Sequence, residues 1–285
     1  MLRCEAMNSA EREASESFEF DGFRIPVELA LLTGGGEETW KPISEGHMAA
    51  YGRYSPILRG QHVLEVGCGV GRDAIPLAKL VGPEGSYVGI DISLPSIQWC
   101  RDNITPNLPN ATFEHLDIRS DFYNPAGALS TSETSLPVGD KRFDRIILQS
   151  VFTHMFEDDI VHFLSEFRRI LDPEGLVFAS FFVLDEGSIR LSTESDGALT
   201  FPHQLADGCR VHDSQNPEGA VGYTPRVVGR MLRRSGLTLD QPIRHGSWSG
   251  RRDVPDGQDI VIMKPASHHV RFLGTLRHAL FGEGG

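Results

Sequence analysis

Apolar positions along this chain change their period several times, and each change marks an element. His62–Val66 (HVLEV) is a short apolar run rich in β-branched residues, as a buried strand requires. A glycine loop follows, then a helix through Leu80. SYVGID reads as a second strand, and SLPSIQWCRDNI as its helix, capped by Ser93. ATFEHLDI and FDRIILQS supply a third and a fourth strand. In the next helix Ile160, Phe163, Leu164, Phe167, Ile170 and Leu171 share one face at helical spacing. Glu157, Asp158 and Asp159 open it and Arg168 and Arg169 close it, as the macrodipole favours. Asp-Pro-Glu-Gly stops it, and LVFASFFVL follows as a buried strand. Thr224 and Pro225 open one more helix, which Gly236 ends. LTLDQPIRHGSW and QDIVIMK are the last strand candidates, and SEGHMAAYGRYSPIL, ahead of the first strand, reads as a helix capped by Ser44.

Strands alternating with helices predict an α/β fold, a doubly wound and mostly parallel sheet. The closing pair, joined without a helix, predicts an antiparallel hairpin at one edge. Residues 1–43 are expected to be an N-terminal extension, mobile over the acidic, polar stretch 1–19. The domain proper is expected over 44–264, with a C-terminal basic tail over 265–285. Two stretches break the rhythm, 120–142 and 184–223, and loops of that length in a compact domain are often functional. The second carries Phe201, His203, Asp207, His212, Asn216 and Tyr223, a mixture suited to covering a polar ligand, so it is the expected acceptor lid.

Composition narrows the class. Forty per cent apolar and 23% charged residues are ordinary for a globular chain, and no run approaches a membrane span. The start lacks the apolar core of an export signal, so the cytoplasm is the expected compartment. A net charge of −12 argues against a nucleic-acid backbone as partner. The cysteines Cys4, Cys68, Cys100 and Cys209 form no CxxC pair, and read as reduced thiols. The tail HHVRFLGTLRHALFG predicts a short basic amphipathic helix, with docking on the domain's own surface favoured over an anionic membrane.

Three glycines crowd the loop after the first strand, Gly67, Gly69 and Gly71. A phosphate-binding loop would need a Lys-Ser/Thr pair, which is absent. The dinucleotide pattern GxGxxG meets Arg72 where its last glycine belongs, and a register from Gly69 ends at Ala74, which is permitted. A nicotinamide cofactor is therefore demoted rather than excluded. The loop with its preceding acid, Glu65-Val66-Gly67-Cys68-Gly69-Val70-Gly71, resembles the first motif of the class I S-adenosylmethionine-dependent methyltransferases. Asp91, at the end of the second strand, matches the acid that in that family binds the ribose hydroxyls, with Ile92 beside it. Asp117-Ile118 matches the position where a carboxylate accepts the adenine amino group. FDRIILQSVFTHM, the long helix, DPEG and a strand resemble the later motifs and add Gln149. The resemblance spans roughly residues 44–182 and implies S-adenosylmethionine as cofactor, held by Glu65, the glycines, Cys68, Arg72 and the residues just named.

What the resemblance implies is transfer of a methyl group to a small or medium-sized acceptor. An oxygen nucleophile is the first expectation, on a sugar, a natural product or a glycolipid head group. A small-molecule N-methyltransferase and a non-catalytic binding protein are the alternatives. Methyl transfer to a hydroxyl requires a base, and His154 in SVFTHM is the first candidate, with His203 and His212 as rivals. Phe152 could face the sulfonium or simply pack, and Tyr51, Arg53 and Tyr54 could reach over the cofactor's methionyl end or pack. Glu157, Asp158, Asp159, Asp185 and Glu186 have the chemistry of metal ligands, but helix-start electrostatics accounts for the first three, and no metal is expected.

Overall fold

A computed structural model of the chain describes residues 17–120, 124–140 and 142–267. The acidic start, residues 1–16, and the basic helix expected over 268–282 lie outside the described residues. Ser17–Phe20 (β1) and Phe23–Pro26 (β2) pair as a hairpin. Its turn is Asp21-Gly22, both at positive φ (51° and 90°), the two-residue connection whose twist matches the strands. Val27–Leu32 (α1) leads into Glu37–Tyr54 (α2).

Two expectations are corrected here. Residues 17–19 belong to a strand, not to a mobile extension, and the helix begins at Glu37, not at a Ser44 cap. Trp40 is the reason: fully buried, it meets Phe18 and Phe20 edge-on (centroids 5.7 and 6.4 Å) and binds the first turns of α2 to the hairpin. Ser44 is buried within the helix and donates to the Arg72 carbonyl at 3.2 Å, tying α2 to the glycine loop.

The central sheet follows, with His62–Val66 (β3), Ala74–Val81 (α3), Ser86–Asp91 (β4), Leu94–Asn103 (α4) and Ala111–His115 (β5). Ser93 caps α4 as expected, accepting from the Ser96 amide. Phe143–Leu148 (β6), Glu157–Ile170 (α5) and Leu171–Val183 (β7) complete the parallel set, in the order β5-β4-β3-β6-β7. The winding reverses between β3 and β6, so a crevice opens at the carboxyl end of β3. Leu171 already pairs with Phe143, and Asp-Pro-Glu-Gly is accommodated by a register shift before Leu176 pairs with Arg145.

Glu186–Glu194 (α6), His203–Ala206 (β8), Cys209–Val211 (β9) and Val221–Tyr223 (β10) lie in the insert. Pro225–Ser235 (α7) ends at Gly236, which has a left-handed backbone, and Leu237–Leu239 (β11) and Asp259–Pro265 (β12) close the domain. The antiparallel pair at the edge is present: β12 runs against β7 and β11 against β12. Besides β6, β7 is long enough to serve two more neighbours, β12 along residues 177–181 and β10 at Phe182 and Val183. The insert therefore extends the sheet, β10 parallel to β7 and then β9 and β8 antiparallel. Among the described residues no helix is long and apolar enough to cross a membrane.

Candidate active site

β3 delivers Glu65 to the start of the glycine loop, where Gly67 and Gly69 have φ of +83° and +52°. A Cβ on Gly67 would lie 2.5 Å from a Val151 methyl, and one on Gly69 would lie 2.4 Å from the Thr33 side chain. Conformation and space both demand glycine. Thr33, in the link between α1 and α2, sits directly on the loop: its hydroxyl accepts from the Val70 amide at 3.1 Å, and Arg72 donates to its carbonyl at 3.2 Å. A cavity of about 610 Å³ opens at this point, with walls from α2, the glycine loop, the ends of β4 and β6, and the loop before β12.

The structure brings most of the expected cofactor residues to this cavity: Glu65, Gly67, Cys68, Gly69, Arg72, Asp91, Ile92, Ile118 and Gln149. Asp91 is held by two backbone amides, Gly69 at 2.7 Å and Ser93 at 2.7 Å, while burial raises its carboxyl above the ordinary value. Glu65 is buried and accepts from the Tyr87 hydroxyl; burial and then the charge of Asp73 push its carboxyl well up. Burial likewise pushes the Cys68 thiol up, which suits a filler and not a nucleophile. Gly71 and Asp117 do not line the cavity. Gly71 faces Ile104 and Cys100 of the following layer, and Asp117 accepts from the Asn124 side chain at 3.3 Å. Leu116 takes a place in the wall beside Ile118.

Asp73 and His47 are the site residues that the motifs did not disclose. Asp73 stands just before α3 and is buried. Its Oδ2 accepts from His47 Nδ1 at 2.7 Å and from the Tyr51 hydroxyl at 2.8 Å. Burial works to raise the Asp73 carboxyl, but His47, Arg72 and Tyr51 together hold it below its ordinary value. Arg72 Nε is 4.0 Å from Asp73 Oδ1, and among the described residues both buried atoms lack a hydrogen-bond partner. The available signal was one acid at the head of an otherwise apolar helix, AIPLAKLV.

Of the three nominated histidines, one reaches the cavity. His154, in the short turn after β6, lines it and donates from Nδ1 to the Glu218 carbonyl at 2.8 Å. Burial lowers its pKa below the ordinary imidazole value. The structure does not bring His203 and His212 there. Because β8 and β9 continue the sheet outward from β10, they carry both rings to its exposed far side, where His212 donates to the Thr200 carbonyl at 2.7 Å. From that insert Glu218 returns to the cavity, and its carboxylate accepts from Ser120 at 3.1 Å.

Phe152 is fully buried against Phe181 and Phe167, so it packs and does not face the cavity. Tyr54 donates to Asp256, a wall residue, at 2.9 Å. Ser150, at φ 58°, is held in that left-handed conformation by a 2.7 Å bond from its amide to Ser180, and its hydroxyl accepts from Gln258 at 2.9 Å. Asp185 caps α6 and pairs with Arg251, while Glu157 pairs with Arg230 and Arg234.

A methyltransferase domain model matches residues 63–175, and a model of protein-L-isoaspartate(D-aspartate) O-methyltransferase matches residues 4–116. Residues 63–175 thus match a methyltransferase domain. Its cofactor is S-adenosylmethionine. The domain is 29% identical over 174 residues to an arsenite methyltransferase of Aquipseudomonas alcaligenes, covering 60% of this chain and 47% of that one. It is 30% identical over 111 residues to a 23S rRNA (uracil(1939)-C(5))-methyltransferase of Acinetobacter baylyi, covering 39% of this chain and 21% of that one. The chain thus spans about a fifth to a half of these relatives' length. A methyltransferase of calicheamicin biosynthesis, solved with S-adenosylhomocysteine bound, shares the fold at a TM-score of 0.52 and 16% identity, over 80% of this chain and 56% of that one.

The residues fit that cofactor. Gly67 and Gly69 line the cavity, and Asp91 lines it with its oxygens already oriented by the Gly69 and Ser93 amides. Asp73 Oδ1 and Arg72 Nε, buried and lacking partners, match the opposite charges of an amino-acid head group.

Proposed function

We propose that this protein transfers the methyl group of S-adenosylmethionine to a hydroxyl of a small acceptor. When bound, the cofactor supplies an electrophilic methyl group on a sulfonium. Asp91 would accept from the ribose hydroxyls, Leu116 and Ile118 would wall the adenine, and Asp73 with Arg72 would take the amino and carboxylate ends. Glu218 narrows the expected lid to one turn of the insert, residues 217–219. The net charge of −12 favours a small molecule over a nucleic acid as acceptor.

One observation carries the reading. The cofactor residues share a single cavity with two histidines, His47 and His154, each with Nδ1 committed to an oxygen acceptor. In a neutral ring so held, Nε2 is the accepting nitrogen, as removal of a hydroxyl proton near neutrality requires. The test is incubation with carbon-13 methyl-labelled S-adenosylmethionine and a metabolite extract, reading the product by carbon NMR. The expected signal is a methyl ether. A methyl on nitrogen overturns the hydroxyl assignment, and absence of any labelled product overturns methyl transfer to a small acceptor.

A further inference from the structure

Two histidines border the cavity, and the groups that hold their Nδ1 atoms differ. His154 rests on a neutral carbonyl oxygen, that of Glu218. His47 rests on a carboxylate, that of Asp73, at 2.7 Å. An ionised carboxylate only accepts hydrogen bonds, so His47 Nδ1 is the donor to Asp73, and in the neutral ring Nε2 carries the lone pair. Tyr51 also donates to Asp73, which places the carboxylate between two donors and prevents it from turning away from the ring. We propose that His47, oriented by Asp73, is the general base that takes the proton of the acceptor hydroxyl.

This rests on the methyl-transfer reading above and deepens it. The acceptor hydroxyl gives its proton to His47 Nε2 as its oxygen forms a bond to the methyl carbon. The methyl–sulfur bond breaks with its electron pair remaining on sulfur, and the sulfonium becomes a neutral thioether. The proton stays on His47, whose imidazolium lies against the Asp73 carboxylate, and leaves to solvent after the product. Burial lowers the His154 pKa, and the Glu218 carbonyl, the Glu218 charge and the Gly219 backbone oppose it only in part. His47 retains 22% side-chain exposure while Asp73 retains 2%, so the base reaches the cavity and its anion is shielded from water. His154 instead holds the turn that carries Glu218 against the cavity wall.

The position of His47 on α2 is determined by packing far from the chemistry. Trp40 seats one end of the helix on the hairpin, and Tyr51 meets Phe178 edge-on at 4.9 Å. His47 lies between these anchors, four residues before Tyr51, so both side chains reach the same carboxylate from one face of the helix.

The experiment compares wild type, His47→Gln and His154→Gln, each with labelled S-adenosylmethionine and the same metabolite extract. Nitrogen NMR of the full chain bound to S-adenosylhomocysteine is recorded alongside. The expected results are a loss of turnover of about 100-fold or more in His47→Gln, a smaller loss in His154→Gln, and S-adenosylhomocysteine affinity within about threefold in both. The His47 ring is expected in the Nδ1–H form. Wild-type turnover in His47→Gln, greater damage in His154→Gln, or an Nε2–H ring at His47 overturns the assignment and leaves methyl transfer standing. Failure of the wild type to label any product overturns the methyl-transfer reading, and this base with it.

Discussion

Asp91 shows how much one side chain carries. Its carboxylate is held by the amides of Gly69 and Ser93, so it orders the glycine loop and the start of α4 before any ligand arrives. Asp91→Ala should fold, and should bind S-adenosylhomocysteine about 10–100-fold more weakly, the ~1.5–3 kcal/mol of a lost charged hydrogen bond. Calorimetry giving wild-type affinity would remove Asp91 from the cofactor site. Asp91 and the glycines were legible because strand-end position and motif spacing are local properties of the chain. His47 and Asp73 were not, since they stand 26 residues apart and only the packing of α2 on the loop joins them. His203 and His212 were misplaced for the converse reason. A sequence shows that an insert leaves the sheet near the cofactor, but not that its strands then run outward.

The segment before the central sheet carried a signal that its composition obscured. FEFDGFRI alternates apolar and polar residues around Asp-Gly, a hairpin pattern, yet it follows an acidic, polar start. Folded, α2 and the Leu32–Gly34 segment before it form the near wall of the cavity, and the hairpin packs on α2 through Trp40. On the opposite edge, buried Asp259 of β12 accepts from the Val183 and Gly246 amides and the Trp248 indole (2.6, 2.8 and 2.8 Å) and bonds the His245 ring at 3.3 Å, while His245 also pairs with Asp185 at 3.1 Å. The Asp259 hydrogen bond raises the His245 pKa above the ordinary 6.5, burial opposes it, and Asp185 adds to it. The folded chain therefore binds this proton more tightly than the unfolded one. The contribution is full below pH 6.5 and is lost as pH rises through the raised folded value. Urea midpoints measured at about pH 6 and pH 8.5 should show wild type losing its advantage over His245→Gln at the higher pH. A constant difference between the two proteins would show that this proton does not stabilise the fold.

The molecule as a whole is acidic, with 39 carboxylates against 27 lysines and arginines. A relative named as a 23S rRNA methyltransferase matches part of the domain, and the acidic charge of this chain is what sets the expectation against RNA. In fluorescence anisotropy at about 0.1 M salt, a ribosomal RNA hairpin should bind more weakly than about 0.1 mM, at the weak limit of non-specific binding. Tight, salt-sensitive binding would redirect the acceptor search towards RNA.

The order of strands and helices, the switch point, the glycine loop and the strand-end position of Asp91 all follow from periodicity and spacing, because each depends on neighbours within a few residues. Those features are enough to determine a parallel sheet and the crevice at its carboxyl edge. The shape of the space beside the cofactor depends on contacts that join distant parts of the chain. Trp40 draws α2 onto the hairpin, Asp73 gathers His47 and Tyr51, and a long β7 turns the insert into added strands so that Glu218 and not His203 or His212 reaches the cavity. Each of these is a packing outcome among residues far apart in sequence, and only the folded chain holds them together.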